Sequence, residues 1–195
     1  MPWDGWPLNW IIMQEQHQNV PRRETGEQWI RWEPPEQGWR VLNTDGAVTG
    51  TSGLAGVGGV LRGDHREWII GFSEQLGRCS TIKAELRAVY KRWPRAKLWI
   101  QVDSMVVVTL LTTNSLHHSE YCGIQQQCKT LMAREDWEVR VTHCFREANQ
   151  VANKLANMGI EGNLGVKIYH APPVEAREAL FFDQMGVAWP RHSHR

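Results

Sequence analysis

Long apolar runs are missing from this chain. Nowhere in its 195 residues do the ~18–20 successive apolar residues occur that a bilayer-spanning helix needs, so no membrane partner is expected. The opening residues, MPWDGWPLNW, lack the basic start and clean apolar stretch of a secretory leader. Cysteine is scarce. Cys79, Cys122, Cys128 and Cys144 form no CxxC pair, which argues against a zinc site and fits a reduced, intracellular protein. A large excess of charge of either sign is lacking too, since the formal net charge is +1. The balance is uneven, however. The first 38 residues are net acidic and residues 39–160 mildly basic, which is compatible with a polyanionic partner without demanding one.

What is present is enough apolar content, 42%, for one sizeable core plus tails. Residues 1–38 hold five of the eleven tryptophans (Trp3, Trp6, Trp10, Trp29, Trp32). Their one periodic piece is Leu8 to Gln16, and Pro21, Pro34 and Pro35 interrupt the rest. We read 1–38 as a poorly ordered arm, 39–160 as the folded domain, and 161–195 as a tail with a short helix.

Within the domain the periodicity changes along the chain. Trp39–Val48 and Glu67–Ser73 alternate as strands, Gly53–Arg62 is a glycine-rich strand that permits close backbone approach, and short turns join the three into an antiparallel meander. Ser80–Trp93 takes up helical spacing, with Leu86, Val89, Tyr90 and Trp93 on one stripe and Lys83, Arg87 and Lys91 on another. Ala96–Val102 suits a strand buried on both faces. Helices over Ser104–Thr112 and Glu120–Glu135, a strand over Trp137–Thr142 and a helix over Arg146–Met158 complete the order. The expectation is an α/β fold in which a meander is followed by crossovers.

Three carboxylates stand out. Asp45 lies on the first strand, on the same face as Val41 and Asn43, with Gly46 leaving room for close approach. Taken alone, an Asp-Gly pair reads more readily as the start of a turn than as a site residue. Glu85 sits beside the apolar stripe of the first long helix, and alone reads as a first-turn acid favoured by the helix dipole. Asp103 ends an apolar strand and precedes a helix, where it is either an N-cap or a ligand-site residue at a strand's carboxyl end. Together the three can converge. Clustered carboxylates repel and raise one another's pKa, and a hard divalent cation, Mg²⁺ or Mn²⁺, relieves that repulsion. Pairs of such ions support in-line phosphoryl displacement.

Five segments in order, NTDGA (Asn43–Ala47), GLAGVGGVLR (Gly53–Arg62), GRCSTIKAEL (Gly77–Leu86), VDS (Val102–Ser104) and HCFREANQVANKLANMG (His143–Gly159), resemble the type-one ribonuclease H family. More narrowly, the chain is similar to plant ribonuclease H-like proteins related to the last domain of non-LTR retrotransposon reverse transcriptases. The lead-in RWEPPEQGW (Arg31–Trp39) and the tail VEAREALFFDQMGVAWPR (Val174–Arg191) resemble that subgroup as well.

The resemblance implies a ribonuclease H-like fold: a five-stranded mixed sheet, three antiparallel strands then two parallel ones, with flanking helices. It implies a monomeric, nucleic-acid-binding endonuclease that hydrolyses the RNA strand of RNA–DNA hybrids with two Mg²⁺ or Mn²⁺ ions. By position, Asp45, Glu85 and Asp103 would be catalytic metal ligands and His143 the mobile histidine that assists proton transfer or product release. Asn153 occupies the place of the fourth family carboxylate. It keeps an oxygen ligand and loses the charge.

Other departures follow from the same comparison. Thr51 stands where many relatives have a hybrid-contacting Asn, and Met105 where many have a Gln. Ser80 keeps a hydroxyl at a phosphate-contacting position, and Lys83 and Arg87 offer a basic stripe for backbone phosphates. The interval from Glu85 to Asp103 is shorter than the family's by ~4 residues, about one helical turn. These departures support an alternative expectation, a weakened or inactive nucleic-acid-binding module of retroelement origin.

Overall fold

The computed structural model describes residues 28–50, 52–89, 97–113, 120–133 and 138–191. Thr51, the end of the expected helix beyond Val89, and the Leu8–Gln16 piece lie outside the described residues.

Strand β1 is Gln28–Ile30, β2 Trp39–Val48, β3 Leu54–Arg62 and β4 Trp68–Arg78; then come helix α1 (Thr81–Val89), β5 (Lys97–Val102), α2 (Met105–Thr112) and α3 (Cys122–Met132). Strand β6 (Glu138–His143) leads through a 3-10 turn at Arg146–Ala148 to α4 (Gln150–Glu161). Strand β7 (Gly165–Tyr169), α5 (Val174–Met185) and β8 (Trp189–Arg191) follow.

The main sheet has the order β6-β5-β2-β3-β4-β7. β2, β3 and β4 form the expected antiparallel meander, and β5 and β6 add in parallel beside β2. All five expected strands are thus in place, and the fold is ribonuclease H-like. The sixth strand, β7, pairs antiparallel with β4 at the sheet's edge. Its first four residues are exposed, so it carries none of the half-buried alternation by which a strand is recognised from sequence.

Helices α1, α2 and α3 cover one face of the sheet through a core that includes Leu42, Leu61, Phe72, Leu86, Ile100, Val102, Val107 and Leu111. On the other face, Val151 and Leu155 of α4 and Ala176 and Leu180 of α5 pack around Val60. The glycines of β3 set how closely α4 lies. A β-carbon on Gly58 would sit 2.2 Å from the Ala156 amide nitrogen and 2.3 Å from the Leu155 carbonyl carbon. Backbone cannot move aside as a flexible side chain can, so Gly58→Ala pushes α4 off the sheet. The expected cost is about 1–3 kcal/mol, read from the urea unfolding midpoint; an unshifted midpoint would contradict this packing.

Residues 28–38 depart from the expected disordered arm. β1 pairs antiparallel with β8, Gln28 opposite Arg191 and Ile30 opposite Trp189. Trp32, 1% exposed, is buried with Ile30, Val41 and Ala148. The physical reason is the company it finds. The guanidinium of Arg62 stacks 3.6 Å from the Trp32 ring centroid, and the indole N–H donates to Asn43 Oδ1 at 3.1 Å. Arg62 is itself fully buried. It donates to the same Asn43 Oδ1 at 2.7 Å and pairs with Asp183 of α5 at 2.6 Å. Lead-in, β3 and C-terminal helix are therefore tied by one buried polar network.

Candidate active site

Strand register builds the site. In the parallel pairing Thr44 lies opposite Val102, and Val102 lies opposite His143. Asp45 and Asp103 follow Thr44 and Val102 directly, so both emerge at the same end of adjacent strands. Helix α1 brings the third carboxylate. Ser80 caps it: its carbonyl accepts from the Ala84 N–H at 3.0 Å and its Oγ from the Lys83 N–H at 3.4 Å, the usual task of an N-cap hydroxyl. Ala84, Glu85, Leu86, Ala88 and Val89 turn inward. Gly46 permits the contact, because a β-carbon there would already lie 3.0 Å from Glu85 Cγ and from the Ala84 β-carbon.

Asp45 and Glu85 are 3% and 4% exposed. Burial, and then the neighbouring Asp103 carboxylate, raise Asp45 to about 7; the Gly46 N–H, donating to Asp45 Oδ1 at 2.9 Å, works the other way. Burial, then Asp103 and Asp45, raise Glu85 to about 8. Its Oε2 is buried without a hydrogen-bond partner, a costly state for a carboxylate oxygen. Asp103 is not the N-cap of α2. That task falls to Ser104, whose Oγ accepts from the Val107 N–H at 3.4 Å. Asp103 is left facing the other carboxylates, with the exposed Arg146 at 3.5 Å from its Oδ2.

His143 donates from Nε2 to the Asp103 carbonyl at 3.2 Å, and its ring meets Phe145 edge-on, centroids 5.3 Å apart. Asn153 lies further along α4. Its Oδ1 accepts from Asn157 Nδ2 at 2.6 Å, so the amide is engaged along the helix. It lines a cavity of 320 Å³ together with Arg146, Gln150 and Lys154. The structure therefore gathers Asp45, Glu85 and Asp103, with His143 on the Asp103 backbone, while Asn153 shares a small cavity with Arg146, the residue that reaches Asp103. Lys83 and Arg87 stand exposed on the outer face of α1, while Ser80 is occupied by capping and approaches the Tyr121 hydroxyl at 3.4 Å.

Two residues go beyond those singled out from the sequence. Arg146 is the cation nearest Asp103. Asn149, four residues before Asn153, is buried and donates to the Thr44 carbonyl at 2.9 Å, bolting the start of α4 to β2 beside Asp45. Both lie in the compact REAN run (Arg146–Asn149), whose polar residues suit an ordinary strand-to-helix loop and so gave no signal of their own.

The carboxylate set fits a divalent cation on two counts. It presents hard oxygen donors, and it contains an orphaned buried oxygen in a field of like charge. Among the described residues, the group of three or more metal-type side chains whose ligand atoms all lie within 4.8 Å of one another is a different one, Asp64, His65 and Glu67. Its donors are already spent. Asp64 accepts from the Gly38 N–H at 2.7 Å and pairs with His65, and Glu67 accepts from the His65 N–H at 3.0 Å. Asp45, Glu85 and Asp103 are spread more widely, as mutually repelling groups are.

The reverse transcriptase-like family matches residues 43–159. This chain belongs to that family. The match covers more than half the chain and contains Asp45, Glu85, Asp103 and Asn153. The chain is also 38% identical over 173 residues to a protein of Arabidopsis thaliana named for ribonuclease H; this takes in 85% of the chain and 27% of that protein's length. The chain thus spans about a quarter of that curated relative.

Among solved structures, ribonuclease H1 of Halobacterium salinarum superposes with a TM-score of 0.57 at 24% identity, covering 64% of this chain and 98% of that one. The N-terminal ribonuclease H domain of a Mycobacterium tuberculosis protein gives 0.56 at 22%, covering 64% and 95%. A compost-derived ribonuclease H1 solved with an RNA/DNA hybrid gives 0.52 at 20%, covering 63% and 96%. At these identities the likeness is one of fold, and it fixes the chain as holding a ribonuclease H-like domain. No helix among the described residues is long and apolar enough to cross a membrane.

Proposed function

We propose that this domain hydrolyses the RNA strand of RNA–DNA hybrids. The observation that carries the reading is the convergence of Asp45, Glu85 and Asp103, from two adjacent strands and the helix packed over them, at a strand end where burial and mutual repulsion hold two of them far above their ordinary range. Strongly perturbed groups gathered at the carboxyl ends of strands mark functional sites more often than structural ones. Membership of the family and the fold shared with a hybrid-bound ribonuclease H1 support the same substrate.

Asp45, Glu85 and Asp103 would hold Mg²⁺ or Mn²⁺, with the Asn153 oxygen as a neutral contributor. When bound, the ions supply charge stabilisation at the scissile phosphate and a readily deprotonated water. The chain's own groups do the rest. The Gly46 N–H fixes Asp45 Oδ1, Arg146 offers a cation at the rim, and His143, anchored through Nε2, presents its other nitrogen for proton transfer. Exposed Lys83 and Arg87 stand ready for backbone phosphates.

The test is cleavage of a labelled hybrid in Mg²⁺ and in Mn²⁺, beside a double-stranded DNA control. Hybrid-specific cleavage is the expected result. Binding without cleavage in either metal would replace it with the inactive-module reading, which the engaged amide of Asn153 favours. Charge at position 153 is separately testable. Asn153→Asp adds a carboxylate to the edge of the site, and Mg²⁺-dependent turnover should rise by roughly tenfold, the worth of about 1.4 kcal/mol. An unchanged rate in a folded variant would place the deficit elsewhere.

A further inference from the structure

The segments on either side of the family match meet in the β1–β8 ribbon, and behind it lies a cavity of 500 Å³, within the range of small-molecule sites. Trp29, Phe145 and Ala188 contribute to its walls, and Gln101 and Cys144 to its floor. Trp29 is 47% exposed. Phe145 already has a planar group against one face, the Arg191 guanidinium at 3.9 Å. Trp29 and Phe145 thus bring aromatic surface to the cavity.

The floor has a defined polarity. Trp32 Nε1 and Arg62 Nη2 can only donate, and both donate to one atom of Asn43, which must be its oxygen. The Asn43 amide nitrogen then donates to Gln101 Oε1 at 2.8 Å. Gln101 is thereby held with its oxygen inward and its Nε2 donors turned elsewhere. The residue is 7% exposed and lines the cavity, and among the described residues Nε2 has no hydrogen-bond partner and is open to solvent. An oriented donor beside aromatic side chains suits a ligand that is planar and carries an acceptor on its edge.

Position narrows the ligand class. Gln101 precedes Asp103 by two residues on β5, about 7 Å along a strand, and Phe145 touches His143 edge-on. The cavity thus adjoins the carboxylate site. We propose that it receives an unpaired base of a single-stranded segment running off the hybrid, stacked on Trp29 and Phe145, with a base carbonyl or ring nitrogen accepting from Gln101 Nε2. Aromatic stacking tolerates any base, so the amide selects only for an acceptor, which every base presents.

This inference rests on the hybrid reading, and one experiment separates the two. The full chain carrying Asp45→Asn, so that no substrate is consumed, is titrated with a blunt RNA–DNA hybrid, with the same hybrid bearing a three-nucleotide single-stranded extension, and with a single-stranded oligonucleotide. The extension should tighten binding roughly tenfold. Adding Trp29→Ala, at a half-exposed position, should abolish that gain and leave blunt-hybrid affinity unchanged. Equal affinity for blunt and extended hybrids, or a gain that survives Trp29→Ala, overturns the base-binding proposal and leaves the hybrid reading standing. Single-strand binding that depends on Trp29, with no hybrid binding, supports the cavity and sinks the hybrid reading. A 4-thiouridine in the extension should cross-link within the cavity, and cross-links confined to α1 would count against it.

Discussion

Asp45→Asn should abolish hybrid cleavage and, in the absence of divalent ions at pH 8, make the protein more stable. The first half follows from charge. The amide keeps the geometry and the Gly46 contact but withdraws a negative ligand from the most enclosed position of the site. A loss of several kcal/mol of transition-state stabilisation is on the order of 10³-fold or more in rate. The second half follows from proton linkage. The folded protein holds the Asp45 proton to about 7 against an ordinary value of 3.8, and the Glu85 proton to about 8 against 4.5. Stability from groups shifted upward is complete below their unfolded values and is lost as pH rises through the folded ones. The wild-type protein should therefore weaken between about pH 4 and pH 8. An amide at position 45 removes one of the two offending charges, and the variant's melting temperature should exceed the wild type's by several degrees at pH 8 and by less at pH 5. Retained cleavage would sink the site assignment, whereas a variant that melts lower at pH 8 would contradict the electrostatic account alone.

The second large effect lies away from the carboxylates. Asp183→Ala should cost about 3–5 kcal/mol, the usual penalty for stranding one member of a buried ion pair. Arg62 is fully buried, its Nε already lacks a partner, and Asp183 is its anionic contact at 2.6 Å. Removing that contact leaves a cation with only Asn43 and the Trp32 ring. Urea unfolding would read the loss, and a cost below 1 kcal/mol would mean that water reaches Arg62 freely. Replacing both partners with apolar residues, Arg62→Met with Asp183→Leu, should recover much of the loss, since a buried pair often adds little over well-packed hydrocarbon.

The contrast between these two sites explains what was legible in the sequence. Asp45, Glu85 and Asp103 each sit at a fixed place in a strand or helix whose period is visible locally, and Gly46 marked room for a close approach that α1 fills. Given the order of elements, their meeting followed. Arg62 and Asp183 lie 121 residues apart, on elements whose periodicity says nothing of each other. Arg62 ends a strand, where an arginine ordinarily reaches water. β1 is three residues long, and its partner is at the far end of the chain, so no local pattern marks either. Trp32 was visible as a tryptophan, but its burial depends on a guanidinium supplied by β3. The role of Asp103 was ambiguous until Ser104 proved to be the cap, a one-residue distinction that periodicity does not resolve.

The ribbon joining β1 to β8 has one more consequence. The segment by which sequence comparison recognises this family, 43–159, contains Arg62 but neither Trp32 nor Asp183. Cut to those bounds, the chain would keep every carboxylate position and lose both faces of the arginine's enclosure. The segment that the family match covers is thus smaller than the set of residues that encloses Arg62, and the ribbon ties together the flanks on either side of it.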